Sequence, residues 1–302
     1  MPSLIDIRRR IRSVKNTQQI TKAMKMVSAA KLRRAQERAL ASRPYAEMMA
    51  RVLANLAVAS KNSDSVSDLP LLQAREEKRI QLIVVSSDRG LAGAFNSNLF
   101  RLAQRFIDER RGTEIQVETI GRKARDYFRK RNYNITGEHI GAVERPSYEL
   151  AREIGDKLIE QYRTSEVDAV YIASNHFKNV MSPNLVLSKI MPVEMPETQK
   201  PAGNKSEKQQ DNKEPQTADY IFEQPVEELL RALLPRYVEM EIYRAMLESN
   251  SAEHAARMTA MDTATNNAGE VIQTLTLNMN RVRQASITRE IIEIVSGAAA
   301  LS

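Results

Sequence analysis

The C-terminal part of the chain carries an apolar pattern with the spacing of a coiled coil. Its positions follow one another at alternating steps of three and four residues: Met258, Met261, Thr265, Ala268, Ile272, Leu275, Met279 and Val282. This repeat averages 3.5 residues and predicts a helix that winds around a partner helix. We therefore expect a long helix within residues 221–302.

The N-terminal residues show a related pattern, which predicts a second long helix over 1–60. The seam begins with Leu4, Ile7, Ile11 and Val14 at the same spacing. It becomes uneven at Gln18 and Thr21, and we expect it to resume through Ile20, Met24 and Val27. Pro44 predicts a bend or weak point, because proline removes a helix hydrogen bond. Two terminal helices that can wrap around each other predict a rod with a domain on its side.

The region between the two helices, residues 78–195, alternates between strand-like and helix-like patterns. Strands are predicted at 80–86, 114–120, 167–173 and 180–190, and helices at 99–110, 124–130 and 148–162. Strands separated by helices predict an open α/β sheet that is largely parallel.

Two polar segments bound this region. Residues 61–68 are polar and without period, which predicts a loop. Residues 197–217 contain no large apolar side chain, so they cannot offset their ordering entropy, and we expect a mobile loop. Pro235 interrupts an apolar-periodic stretch, which predicts a kink or a restart of the C-terminal helix.

Composition excludes several classes of function. The chain has 302 residues and no cysteine, so disulfides, thiolate metal sites and thiol redox switches are excluded. No run of 18 or more apolar residues predicts a membrane span. Arginines at positions 8–10 follow the start with no apolar core behind them, so we expect no signal peptide and a cytosolic location.

Positive charge is concentrated at the N-terminal end. Residues 1–60 contain thirteen Lys or Arg against three acidic residues, a balance of +10, whereas the whole chain has +7. A basic helix suits nucleic acid, an anionic membrane surface, an acidic protein partner, or plain solvation. Few aromatic residues and no helix-turn-helix pattern weaken the first reading, and an apolar face without bulky anchors weakens the second.

No catalytic constellation is visible. Residues 86–96 form a glycine-containing loop between a strand and a helix, where α/β sheets bind phosphate, but the spacing of a phosphate-binding motif is missing. We interpret it as a tight turn. His139, His176 and His254 lack partners at metal-ligand spacing, and the pairs Glu76–Glu77 and Glu227–Glu228 are expected to be solvated.

Longer motifs at both ends resemble a known family. Residues 15–31 (KNTQQITKAMKMVSAAK) with Ser42-Arg43-Pro44-Tyr45 resemble the N-terminal helix of the gamma-subunit family of bacterial F-type ATP synthases. Residues 283–300 (RQASITREIIEIVSGAAA) resemble the C-terminal signature of that family. The segments 87–91, 255–258 and 264–268 match further internal motifs, so the resemblance covers the chain except for 197–217.

The resemblance implies a non-catalytic rotor. In that family the terminal helices pair antiparallel as a central shaft, with a Rossmann-like α/β domain inserted between them. Three alpha and three beta subunits surround the shaft, and the domain rests with the epsilon subunit on the c-ring. Ion flow turns ring and shaft, which drives the beta subunits through ATP synthesis. The implied location is peripheral, at the cytoplasmic face of the bacterial inner membrane, with no cofactor, metal or nucleic acid.

The resemblance also implies contact residues. Arg257, Gln284, Thr288 and, more weakly, Glu290 match positions that bond to a catch loop of beta. Met24 and Ala92 match positions near the beta lever. Tyr220, Phe222 and Glu223 match the foot on the c-ring, where Phe222 replaces a tyrosine of some relatives. Two alternatives remain open at this point: a nucleic-acid-binding coiled coil, and a nucleotide-using enzyme that employs the loop around Gly90 and Gly93.

Overall fold

The computed structural model describes residues 3–60, 69–177, 183–194 and 224–301. In chain order the elements are α1 (Leu4–Ser60), β1 (Arg79–Val85), α2 (Phe95–Glu109), β2 (Glu114–Ile120), α3 (Arg122–Arg129), β3 (Ile135–His139), α4 (Tyr148–Arg163), β4 (Ala169–Phe177), β5 (Pro183–Met191) and α5 (Val226–Leu301). The chain divides into two compact units, and both long helices contribute to each. The first unit contains 1–31, 91–93 and 254–302, and the second contains 32–90 and 94–253.

The five strands form one sheet in the order β3-β2-β1-β4-β5. The pairs β3–β2, β2–β1 and β1–β4 are parallel, and β5 pairs antiparallel with β4. The run Arg79–Val85 is almost entirely buried, as expected for a strand at the centre of a sheet that is covered on both faces.

A separate apolar core covers each face of the sheet. On one face, α4 packs with the end of α1 and the beginning of α5, which contribute Leu53, Leu56, Leu230, Val238 and Ile242. On the other face, α2 and α3 pack through Leu99, Phe100, Phe106, Ala124 and Phe128. The long helices therefore serve as part of the second unit's core.

The predicted fold class is confirmed, since a mostly parallel α/β sheet lies in sequence between two long terminal helices that pair antiparallel in the first unit. One strand was missed. The sequence of β3, Ile-Thr-Gly-Glu-His, has one large apolar residue and a glycine, so it carries no strand pattern. It is an edge strand whose attachment depends on polar groups.

The two prolines do not interrupt the helices. Helix α1 is continuous through Pro44, and α5 shows no restart at Pro235. An interior proline costs about 3 kcal/mol. Near Pro235 this cost is offset by Leu230, Leu234, Val238 and Ile242, which are almost completely buried and each contribute about 2 kcal/mol. The predicted loops at 61–68 and 197–217 lie outside the described residues.

Candidate functional site

Polar side chains join the two helices of the first unit. The hydroxyl oxygens of Thr21 and Thr265 lie 2.7 Å apart, and Gln18 Nε2 donates to the Thr265 carbonyl oxygen at 3.3 Å. A β-carbon at Gly269 would lie 3.2 Å from Gln18 Nε2, so the glycine leaves room for the amide. This polar layer replaces apolar packing in the middle of the helix pair.

An ion pair extends the layer. Lys25 Nζ lies 2.5 Å from Asp262 Oδ1, and both side chains are nearly half exposed. As the α1 partner advances from Thr21 to Lys25, the α5 partner moves back from Thr265 to Asp262. The two helices therefore run antiparallel in this unit.

The seam of α1 differs from the one expected beyond Val14. Positions 18, 21, 25 and 28 continue the steps of three and four and are buried or half-buried, whereas Ile20 is 60% exposed and Val27 is 56% exposed. The expected resumption through Ile20 and Val27 is wrong, and Met24 is only half-buried. The period never breaks, because polar residues occupy seam positions and find partners across the pair.

The remaining seam residues lie on the less exposed side of their helices. Ile7 and Met261 are buried, and the others are half-buried: Leu4, Ile11, Val14, Met258, Ile272, Leu275, Met279 and Val282. On α5 the same spacing reaches Ser286, which is also half-buried.

The predicted catch residues lie far apart on α5. Arg257 is buried, and its guanidinium lies 3.4 Å from His254 Nδ1. Gln284, Thr288 and Glu290 are exposed, and at a rise of about 1.5 Å per residue Gln284 lies about 40 Å from Arg257. Thr288 Oγ1 donates to the Gln284 carbonyl at 2.9 Å, and Ser286 Oγ donates to Glu290 Oε1 at 3.2 Å. The four side chains therefore form no single cluster.

The segment Leu91–Gly93 belongs to the first unit. Ala92 is buried, while Leu91 is exposed and has a positive φ of 65°. A β-carbon on Gly93 would lie 3.6 Å from the Ala260 β-carbon, so the segment packs against α5. The predicted foot residues Tyr220, Phe222 and Glu223 lie outside the described residues.

The glycine-containing loop uses most of its side-chain polar groups internally, although the buried Asp88 Oδ2 has no hydrogen-bond partner among the described residues. Ser86 Oγ accepts a hydrogen bond from the Ala124 backbone N–H at 2.8 Å, and Asp88 Oδ1 accepts from the N–H groups of Arg122 and Gly141 at 3.0 Å. Ser87 bonds to the Asn96 side chain. The bonds to Arg122 and Ala124 hold the start of α3, the bond to Asn96 holds the start of α2, and together they support the interpretation of a tight turn.

Helix α5 also lies against the strand ends where open α/β sheets hold ligands. The topological switch point falls between β1 and β4, and ligands bind outside the carboxyl ends of such strands. The Asn175 backbone N–H near the end of β4 donates to Ser249 Oγ at 3.3 Å. A helix residue thus contacts the position that a nucleotide would need.

A buried ionic network centres on Glu118 and escaped the sequence analysis. Its carboxylate is fully buried and accepts bonds from Lys157 Nζ at 2.9 Å and Thr136 Oγ1 at 2.8 Å, and it lies 2.8 Å from His139 Nε2. Burial alone would raise the pKa of Glu118, but the bonds from His139 and Lys157 outweigh it and lower the pKa to about 2. Because the partners lie 18 to 39 residues away, no local sequence pattern could reveal the network.

The expected solvation of Glu77 is wrong. Its carboxylate pairs with Lys189 Nζ at 2.8 Å and accepts a bond from the Tyr171 hydroxyl at 2.9 Å. His176 likewise lies 2.8 Å from Glu248.

In the ranges that the structure describes, no group of three or more His, Cys, Asp or Glu residues could hold a metal ion. No described helix combines the length and apolar character that crossing a membrane requires.

Comparison with known proteins decides the family. The family model described as ATP synthase matches residues 3–301. The gamma chain of Solibacter usitatus is 58% identical over 300 residues, covering 99% of both chains. The chain belongs to the ATP synthase gamma chain family. The gamma chain of Pelotomaculum thermopropionicum is also similar, with 48% identity across the full length of both chains.

Solved structures of ATP synthase share the fold. A chain of the mitochondrial ATP synthase of Euglena gracilis, in an assembly of OSCP, F1 and c-ring, matches 99% of this chain and 94% of its own length, with a TM-score of 0.64 and 18% identity. A chain from the central stalk and c-ring of the Tetrahymena thermophila enzyme matches 81% of this chain and 99% of its own, with a TM-score of 0.55 and 21% identity.

Membership of the gamma chain family establishes the kind of role. The protein is a non-catalytic subunit of the ATP synthase complex, where it has the central-stalk role and the beta subunits carry catalysis. It is therefore peripheral to the membrane that holds the complex.

Proposed function

We propose that the paired helices act as a shaft inside a sleeve of three alpha and three beta subunits, and that the α/β domain rests with epsilon on the c-ring. The location would be the cytoplasmic face of the bacterial inner membrane. The observation that carries this proposal is the exposed apolar end of α5. Ile287, Ile291, Ile292, Ile294 and Val295 are all exposed.

The register of the helix pair accounts for this exposure. In an antiparallel pair, each residue towards the N-terminus of α1 lies opposite one residue further towards the C-terminus of α5. Continued from the pairs Thr21–Thr265 and Lys25–Asp262, this register places Leu4 opposite the turn around Val282. Helix α1 begins at Leu4, so α5 beyond that turn has no α1 residue beside it. A helix with this much exposed aliphatic surface marks a site covered by other protein.

The residues proposed to contact beta differ in exposure between the end of α5 and the N-terminal part of α1. Gln284, Thr288 and Glu290 are exposed on α5 and available to a surrounding loop. Met24 is half-buried beside the Lys25–Asp262 pair, so a further cation there would disturb that pair. Charge-assisted bonds suit a rotor, since they are strong and directional but can be exchanged between faces. The shaft can shift a beta subunit between two conformations only by the difference between its contact energies with those conformations.

We expect Gln284→Ala to reduce ATP hydrolysis by the reassembled complex about fivefold, the rate change for about 1 kcal/mol of lost hydrogen bonding. Gln273→Ala is the matched control, because Gln273 is exposed on the same helix within the paired stretch. The thermal stability of the free chain should not change in either variant. Equal turnover in the two variants would remove the catch assignment.

Arg257→Ala needs a second readout, because Arg257 is buried and lies next to His254. If Arg257 serves the catch, turnover falls more than the melting temperature of the free chain predicts. If the loss of turnover disappears at a temperature that restores folding, Arg257 only supports the helix.

A further inference from the structure

The outer face of α2 and α3 carries a concentration of unpaired positive charge. Residues 95–111 and 122–131 contain ten Lys or Arg against Asp108, Glu109 and Asp126, a balance of +7 that equals the net charge of the whole chain. Only part of this charge is neutralised locally, by pairs such as Arg125–Asp126 at 2.7 Å and Arg129–Glu138 at 2.5 Å.

Six of these cations make no side-chain hydrogen bond or ion pair within the part of the chain that the structure describes. Five of them lie on the two helices, and the sixth, Arg111, follows the end of α2. The five are Arg101 and Arg105 on α2, and Arg122, Lys123 and Lys130 at α3 and its end. Lys123 is half-buried and the other four are exposed. We call these five residues the α2–α3 basic face.

The two helices are held side by side, so their charges share one surface. The ring of Phe100 stacks on that of Tyr127 with centroids 4.4 Å apart, and Gln104 Nε2 donates to the Tyr133 hydroxyl at 2.8 Å. Arg101 follows Phe100 directly, and Lys123 and Lys130 lie about one turn before and after Tyr127.

The chemistry of this surface selects its partner. The large apolar side chains of both helices are buried or half-buried, so the face lacks the exposed aromatic or aliphatic anchors of a tight protein interface. A broad set of solvated cations fits a broad set of anions, such as the headgroups of acidic phospholipids, each cation adding attraction near the surface.

We propose that the α2–α3 basic face makes electrostatic contact with anionic phospholipid headgroups of the membrane that holds the complex. This goes beyond the rotor assignment and can fail while that assignment stands. A fluid lipid surface also suits a turning subunit, because lipids exchange freely and bind no single angular position.

The test is co-sedimentation of the full chain with vesicles. We expect binding to phosphatidylcholine vesicles that contain about 30% phosphatidylglycerol, and at least tenfold weaker binding to pure phosphatidylcholine. Raising the salt from about 0.1 M to about 0.5 M should abolish the binding, because these charges are exposed and therefore screened. The variant R101Q/R105Q/R122Q/K123Q/K130Q should bind the acidic vesicles at least tenfold more weakly than the unchanged chain.

The matched control removes as many charges from elsewhere. R33Q/R34Q/R38Q/R43Q/R51Q changes five exposed arginines of α1, and its binding should fall less than twofold. Equal losses in both variants would show attraction to net charge alone and overturn the proposal. Unchanged lipid binding in the face variant, with loss of another subunit on purification of the complex, would assign the face to an acidic protein instead.

Folding of both variants is checked by circular dichroism; the five side chains of the face make no internal bonds, and the control loses only the exposed Arg33–Glu37 pair. If the fivefold variant does not fold, R101Q/R105Q and K123Q/K130Q are measured separately. Each pair should then weaken binding to the acidic vesicles about threefold, and no change in either pair would reject the assignment. ATP hydrolysis by the reassembled complex, in detergent without acidic lipid, should be the same for the face variants and the unchanged chain.

Discussion

At the scale of single residues, Glu118 shows how the edge of the sheet is held. Its carboxylate lies on β2 and reaches Thr136 and His139 of β3 and Lys157 of α4. Gly137 makes this possible, because a β-carbon there would lie 1.9 Å from Glu118 Oε1. Strand β3, weak in its own sequence, is attached through this buried charge.

Gly137→Ala should therefore destabilise the protein by about 2 kcal/mol or more, since overpacking forces either the carboxylate or the strand to move. Urea unfolding followed by circular dichroism measures the loss. Gly90→Ala is the control, because no atom lies within 4 Å of a β-carbon built there, and it should change the free energy of unfolding by less than about 0.5 kcal/mol. Similar losses in both would contradict the role given to Gly137.

The pKa of Glu118 is lowered to about 2 from its ordinary value of 4.5, which predicts that the stability of the fold depends on pH. The stabilisation is fully present above pH 4.5 and is lost as the pH falls through the folded-state value. The stabilisation amounts to about 3 kcal/mol. We expect Glu118→Gln to reduce the slope of the free energy of unfolding against pH between about 5 and 3. Glu109→Gln, which removes an exposed carboxylate, serves as the control, and an equal slope in both variants would exclude this linkage.

At the scale of elements, the pairing of α1 with α5 was predictable in outline and wrong in one stretch. The spacing of seam residues by three and four can be recognised in the sequence where the side chains are apolar, as at Ile7 and Met261. It was lost at Gln18 and Thr21, because a polar residue in a seam looks like a residue outside it. Their pairing with Thr265 across the interface becomes visible only in the folded structure.

The corrected seam predicts a contrast between two isoleucines of α1. Ile7→Ala should destabilise the helix pair by about 2 kcal/mol, because Ile7 is only 2% exposed. Ile20→Ala should change stability by less than about 0.5 kcal/mol in the free chain. Hydrogen exchange of amides in residues 4–28 reports on this pairing directly. Equal effects of the two substitutions on hydrogen exchange would support the seam through Ile20 that the sequence predicted.

The sheet also has parts that could be predicted from the sequence and parts that could not. The buried strands β1 and β2 were predictable to within a residue, since β-branched and alternating runs are local patterns. Strand β3, the Glu77–Lys189 pair and the Glu118 network were not, because each depends on residues that only the fold brings together. The contact residues came from motif resemblance, and the structure adds their burial: Arg257 buried, Gln284 exposed.

At the scale of the whole molecule, the uncovered end of α5 separates the free chain from the assembled one. Replacing Ile292 and Ile294 with Gln should leave the melting temperature of the free chain within a few degrees, because both side chains are already exposed. The same change should weaken assembly with alpha and beta subunits, since it removes apolar area that the sleeve would bury. Native gels across a dilution series measure assembly. Tighter or unchanged assembly would argue against a sleeve at this end.

That bare aliphatic stretch also has a consequence for the cell. A copy synthesised in excess of the subunits that cover this stretch exposes its apolar surface to solvent. Such a surface promotes aggregation and proteolysis. Synthesis of this subunit must then be matched in amount and timing to that of its neighbours, and a surplus should be short-lived.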